Sequence, residues 1–246
     1  MEMPISETYE QELIYMPYRK SLERVTQIIC SQVPRLGRVL DLMCGTGDLL
    51  RGITFLRRSL HLQGVDIDQE YIKHARQKCP EVEFEVGDVL EWNPREKYDA
   101  VLCTGDLHHI PYERQEEMIG RMASMVKPEG FVLISDCYID DYSNELERKL
   151  AAAKLGYEYL ISTIKNGAPD DVVAATADIL KNDIMMHEFK TSLKKRMPAF
   201  KGHFKTVEVE KTWPKEETEY GDYIAVLKNK YAATANRTEV FSLSTF

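Results

Sequence analysis

The sequence predicts an α/β fold, a largely parallel sheet wrapped by helices on both faces, and three observations carry that prediction. Short apolar strands alternate with segments of helical period from Arg38 to Ser135. A small-residue turn, Cys44-Gly-Thr-Gly47, follows the first strand directly. Polar residues, Asp66, Asp88, Thr104 and Asp136, then fall at the ends of later strands, where sheets of this kind bind ligands. The 246 residues, 43% of them hydrophobic, suffice for one sizeable core and read as one domain with an elaboration.

Composition narrows the function. A formal net charge of -8 argues against a nucleic-acid partner, which needs a basic face to neutralise phosphates. The five cysteines form no CxxC pair and read as reduced, buried residues. No charged-then-apolar leader opens the chain and no apolar run is long enough to cross a bilayer, so a cytoplasmic protein without membrane contact is expected.

Taken in order, residues 1–33 predict an N-terminal helical cap. Leu22, Val25, Ile28 and Ile29 recur at helical spacing, and Tyr9, Tyr15 and Tyr18 ahead of them either cover a core edge or form a lid. Val33-Pro34 and Gly37 stop that helix before the strand Val39–Leu42. Gly45 and Gly47 let the backbone turn tightly against a ligand, and the helix from about Asp48 aims its free amides there. Leu60–Asp66 is the second strand. Its terminal carboxylate lies about twenty residues past the glycine turn, which suits ribose hydroxyls, whereas Asp68 caps the helix Gln69–Lys78. Val82–Val86 and Tyr98–Cys103 are the third and fourth strands, and Asp88 either stabilises its turn or binds ligand. A helix carrying Ile119, Met122, Met125 and Val126, a turn at Lys127–Gly130 and a strand Phe131–Ser135 complete the predicted core, 34–138. Residues 139–201 are too long for a loop and predict three helices, the first begun by Ser143, the others spanning Asp170–Leu180 and Asp183–Met197. Residues 202–230 follow, and the tail 231–246 matches no motif; an ordered arm and a contact within a homodimer are both compatible with it.

The stretches VLDLMCGTG, GVDID, GDV, DLHHI and KPEGFVLISD, in this order and spacing, resemble those of class I S-adenosylmethionine-dependent methyltransferases. The resemblance implies a Rossmann-like, doubly wound sheet whose last strand is antiparallel, with His203–Lys228 as the final pair of strands and 139–201 as a helical lid over a small-molecule acceptor. It also implies a cofactor site. Tyr18, Asp41 and the backbone from Met43 through Cys44 to Gly45, with Gly47, would face the methionine part. Asp66 would take the ribose and Ile67 the adenine face; Asp88 and Val89 would meet the adenine amino group, and Thr104 with Gly105 the amino end of methionine. The family usually has glycine where this chain has Met43, so that side chain must point away from the ligand.

Methyl transfer is an in-line displacement in which positioning is most of the catalysis. His108 and His109, directly after the fourth strand, are the candidate general bases, with His109 preferred by its resemblance to small-amine methyltransferases; the alternative is that one of them caps the loop or packs beneath the cofactor. Tyr9, Tyr15, Asp136 and Tyr138 are the candidate acceptor-binding residues. Asp106, Asp136, Asp140 and Asp141 make the mouth acidic, which suits a cationic amine better than a metal, and no metal is expected. Two other functions fit the same pattern: an enzyme that modifies S-adenosylmethionine without transferring methyl, with Arg19 or Arg196 as a carboxylate-binding residue, and a non-catalytic cofactor-binding subunit.

Overall fold

The computed structural model describes residues 6–185 and 188–231, with side chains from residue 11 onward. Tyr9 therefore enters only as backbone, and the tail beyond Tyr231 lies outside the described residues. Seven strands form one sheet in the order β3-β2-β1-β4-β5-β7-β6. They are β1 (Arg38–Leu42), β2 (His61–Asp66), β3 (Glu83–Val86), β4 (Tyr98–Thr104), β5 (Val126–Tyr138), β6 (Phe204–Trp213) and β7 (Gly221–Lys230). β1 to β5 pair in parallel, and β7 runs antiparallel between β5 and β6.

Alternation along each strand sends side chains to opposite faces. Val39, Ala100, Leu102 and Leu133 meet α2 (Arg19–Gln32), α3 (Asp48–Leu56) and α4 (Gln69–Lys78). Leu40, Leu42, Val101 and Ile134 meet α5 (Tyr112–Met125) and α8 (Leu193–His203). A third, smaller cluster joins the far end of β5 to α6 (Glu145–Lys165) through Ile139, Leu155, Tyr159 and Trp213. α7 (Asp170–Met185) packs on α6, and α1 (Ser6–Tyr15) packs on α7. No helix among the described residues is long and apolar enough to cross a membrane.

Three predicted boundaries change. Lys127–Gly130 is no turn between elements; it is a bulge within β5, because Tyr98 pairs with Val126 and Ala100 with Phe131, leaving Asp99 alone opposite the extra residues. Asp99 fastens the bulge by accepting from Lys127 Nζ at 2.8 Å and from the Arg38 amide at 2.7 Å. The first helix of the insertion is capped by Asn144, not Ser143, its side chain accepting from the Glu147 amide at 3.0 Å. No helix spans Asp183–Met197. α7 runs on to Met185, and Phe189–Thr191 is irregular backbone bound to the body: the Phe189 amide donates to the His108 carbonyl at 2.7 Å and the Ile139 amide to the Thr191 carbonyl at 3.1 Å. Ser192 then caps α8 through the Lys195 amide at 3.2 Å.

Candidate active site

The strands converge on the glycine turn with their carboxyl ends. Met43, Gly45 and Gly47 all have positive φ, at 61°, 52° and 79°. For Met43 this is a conformation that L side chains rarely adopt, and its side chain rests partly on the α5 side of the core. Asp66 locks the turn: one oxygen accepts from the Gly45 amide at 2.8 Å, the other from the Asp68 amide at 2.9 Å. Asp68 in turn accepts from the Glu70 and Tyr71 amides, as a helix cap should. Beside this turn a narrow cleft of about 20 Å³ is lined by Tyr18, Asp41, Met43, Cys44, Thr46 and Thr104, among others. Asp41 is 1% exposed, and its Oδ1 has no hydrogen-bond partner, so a buried acceptor stands ready for a donor on a ligand. Burial, and then the charge of Asp66, push its carboxyl up to about 7.

A second, larger cavity of about 280 Å³ adjoins the cleft, and both are bounded by Leu13, Tyr18 and Asp106. Tyr18 lies against Gly105, where φ is 87° and a Cβ would come within 2.9 Å of the tyrosine ring, so only glycine lets the ring close there. Leu13 of α1, Met16 just after it, Tyr159 of α6 and Ile179 of α7 wall the cavity; His108, His109, Glu188 and Lys190 form its floor.

That floor is a buried relay of charge. His108 Nδ1 lies 2.6 Å from Asp136 Oδ1, and its Nε2 faces Glu188 at 3.5 Å. Lys190 Nζ sits 2.7 Å from both Asp183 and Glu188, all three almost wholly buried. Burial alone would strip His108 of its proton, but the Cys137 sulfur and the Asp136 carboxylate beside it prevail and hold the proton well above the ordinary range. Burial would likewise raise Glu188, yet Lys190 and the histidines bring it down to about 2. His109 is the opposite case. Burial, and then the charge on His108, push it down to about 4, so it is a neutral imidazole at pH 7, its Nε2 3.9 Å from Asp106.

The structure gathers Tyr18, Asp41, Met43, Cys44, Thr104, Gly105, His108 and His109 around the two spaces. Other expected residues stand elsewhere. Asp136 is not on the cavity wall but behind His108, and Tyr138, 2% exposed, packs edge-on against Tyr223. Tyr15 lies on neither space; its carbonyl accepts from Asn166. Asp140 and Asp141 do not form the mouth, being paired with Lys154 at 2.6 Å and Lys194 at 2.8 Å. Arg19 pairs with Glu23 on the surface, and buried Arg196 bonds to Gln115. Ile67 is 70% exposed beyond β2, Val89 is buried in the core, and Asp88 accepts from the Leu90 amide at 2.9 Å. Glu12, Glu188 and Lys190 are the site residues that sequence reasoning passed over; the signal for the last two was a Glu-Phe-Lys triplet on a segment read as an amphipathic helix.

Donor atoms of His108, Asp136 and Cys137, and of His108, His109 and Glu188, lie within 4.8 Å of one another. The Lys190 ammonium already provides the cation beside Glu188, and His108 Nδ1 is engaged with Asp136, so a metal ion would have to displace existing partners.

Comparison with known proteins agrees with this architecture. Residues 39–130 match the family model described as a methyltransferase domain. A trans-aconitate 2-methyltransferase of Variovorax paradoxus is 26% identical over 124 residues, 49% of this chain and 47% of that one. A carboxy-S-adenosyl-L-methionine synthase of Sulfurimonas denitrificans is 26% identical over 134 residues, 52% of this chain and 57% of that one. The chain thus spans about half the length of the curated relatives it matches. In fold it is similar to the N-methyltransferase NodS of Bradyrhizobium japonicum, with a TM-score of 0.58 and 12% identity over 88% of this chain and 90% of that one.

Proposed function

We propose that this chain, whose residues 39–130 match a methyltransferase domain and whose sheet has the class I methyltransferase topology, is an S-adenosylmethionine-dependent methyltransferase acting on a small molecule. The observation that carries the reading is the pair of adjoining spaces. A polar cleft at the glycine turn opens past Tyr18 and Asp106 onto a cavity with apolar walls and a histidine floor. The cleft residues suit the amino end of the cofactor: Asp41 offers a buried acceptor without a partner and Thr104 a hydroxyl. When bound, S-adenosylmethionine supplies a methyl group whose C–S bond breaks with its electron pair on sulfur as the acceptor's lone pair forms the new bond.

The chain's own residues then have two tasks. Tyr18, Leu13 and the α1–α7 wall exclude water and align the acceptor with the cleft. His109, a neutral imidazole on the cavity floor, takes the acceptor's proton, while His108, with both ring nitrogens engaged, holds the floor in place. A carboxylate-modified sulfonium would need a free cationic group in the same cavity. Lys190 is already matched by two carboxylates and both arginines lie elsewhere, so methyl transfer is the better supported reading.

Calorimetry with S-adenosylmethionine tests the assignment. Asp66→Ala should weaken binding by roughly tenfold or more, because it removes charge-assisted hydrogen bonds of roughly 1.5–3 kcal/mol each, including the one that holds the Gly45 turn of the cleft. Binding unchanged in this variant would remove Asp66 from the site, and no binding to the parent protein would end the proposal.

A further inference from the structure

Glu12 is the one acidic side chain of the larger cavity that is buried and has no partner. It is 7% exposed, and among the described residues its carboxylate makes no hydrogen bond or ion pair. Burial pushes its carboxyl up to about 7, with no cation to oppose the effect. The neighbouring acids differ. Glu188 is held by Lys190 and faces His108, Asp136 is held by His108 outside the cavity, and Asp106 lies on the boundary with the cofactor cleft. Asp178 also lines the larger cavity, but it is exposed; Glu12, buried, lines that cavity and not the cleft, so its charge meets the acceptor and not the cofactor.

A buried carboxylate without a partner is costly unless a ligand supplies the missing cation. Tyr159, Ala175, Ile179, Leu13 and Met16 offer apolar surface around it, and Lys190, the cavity's lysine, is already neutralised. On the basis of the function proposed above, we infer that the methyl acceptor is an amine carried on an apolar body, recognised as its ammonium by Glu12. The ammonium gives one proton to the His109 imidazole, which frees the nitrogen lone pair; after the N–C bond forms, the product nitrogen is again cationic and keeps its pairing with Glu12. One proton leaves for each methyl gained, and that proton is on His109.

The test is a binding measurement on the full chain saturated with S-adenosylhomocysteine, using benzylamine, benzyl alcohol and benzoate as matched probes. The amine should bind at least tenfold more tightly than the alcohol, and benzoate should not bind. In Glu12→Gln, amine affinity should fall by about tenfold while alcohol and S-adenosylhomocysteine affinities stay within twofold. Glu12→Asp, which keeps the charge on a shorter arm, should recover part of the loss. Equal affinity for amine and alcohol, binding of benzoate, failure of all three probes to bind, or a Glu12→Gln variant with full amine affinity would each overturn the inference. Those results leave the methyltransferase reading standing as long as the cofactor binds, and failure of cofactor binding in the parent protein is seen separately in the saturation step.

Discussion

His108 and His109 share one turn of backbone and differ in everything around the ring. Both nitrogens of His108 face carboxylates, so its charge is matched; His109 faces Asp106 at 3.9 Å, and burial and the charge on His108 outweigh the nearby Glu188 carboxylate. His109→Ala is expected to lower turnover by roughly a hundredfold with cofactor affinity unchanged, as loss of a proton acceptor does. His108→Ala should act mainly on stability, by stranding the buried Asp136 carboxylate. Since the folded-state value of His109 lies near 4, its imidazole keeps its lone pair down to that pH, and its NMR titration should show no midpoint near 6.5. A midpoint there would place the ring in water and undo its role on the floor. The helix cap at Asp68 was legible, because it acts on amides two and three residues on, whereas the bond from the Gly45 amide to Asp66 joins residues 21 apart and was not. Glu12 was not legible: its meaning depends on a cavity assembled from α6 and α7, more than a hundred residues away, and a glutamate on a short helix looks like a solvated one.

At the scale of elements, the sequence marked β1 to β4 and α2 to α5, whose patterns one neighbour decides, and left α1 unmarked. It missed where two elements decide together. The bulge at Lys127–Gly130 carries Pro and Gly, which locally say turn, but Asp99 on the adjacent strand draws Lys127 and Arg38 into the sheet. Residues 183–197 have apolar positions at helical spacing, yet Lys190 must reach both Asp183 and Glu188, and a helix through Phe189 would forfeit its bond to His108. Phe189–Thr191 is therefore the strap that fixes the insertion to the core, and Lys190 is its rivet. Lys190→Met should lower stability by about 3–5 kcal/mol, since two buried carboxylates lose their cation. Lys194→Met, which breaks an ion pair whose lysine is 80% exposed, should leave stability nearly unchanged. Thermal unfolding of the two variants side by side decides it; equal effects would mean that Lys190 contributes no more than a surface charge.

For the whole molecule, the balance of buried acids sets how stability varies with pH. Asp41, Asp222 and Glu12 are each pushed up to about 7, in every case chiefly by burial. Between their unfolded values and 7 the native state binds more protons than the unfolded chain, so their contribution is complete at low pH and is lost as pH rises through 7. His109 works the other way below about 6.5, where the unfolded chain takes up a proton that the native ring refuses. Three acids outweigh one histidine, so the melting temperature is expected to fall by several degrees, roughly, between about pH 5 and pH 7.5 and to level off above that, with a shallower fall in Asp41→Asn. A melting temperature that rises over that range would contradict the burial of these acids as unmatched charges. The same sheet has two open borders, β3 and β6. Glu83 and Glu85 stand outward on the first, and Glu208, Glu210 and Lys211 punctuate the second. Strands so armed repel a copy of themselves laid edge to edge, so the borders resist aggregation, and any self-association has to use helical surfaces in place of a sheet continued from one molecule into the next.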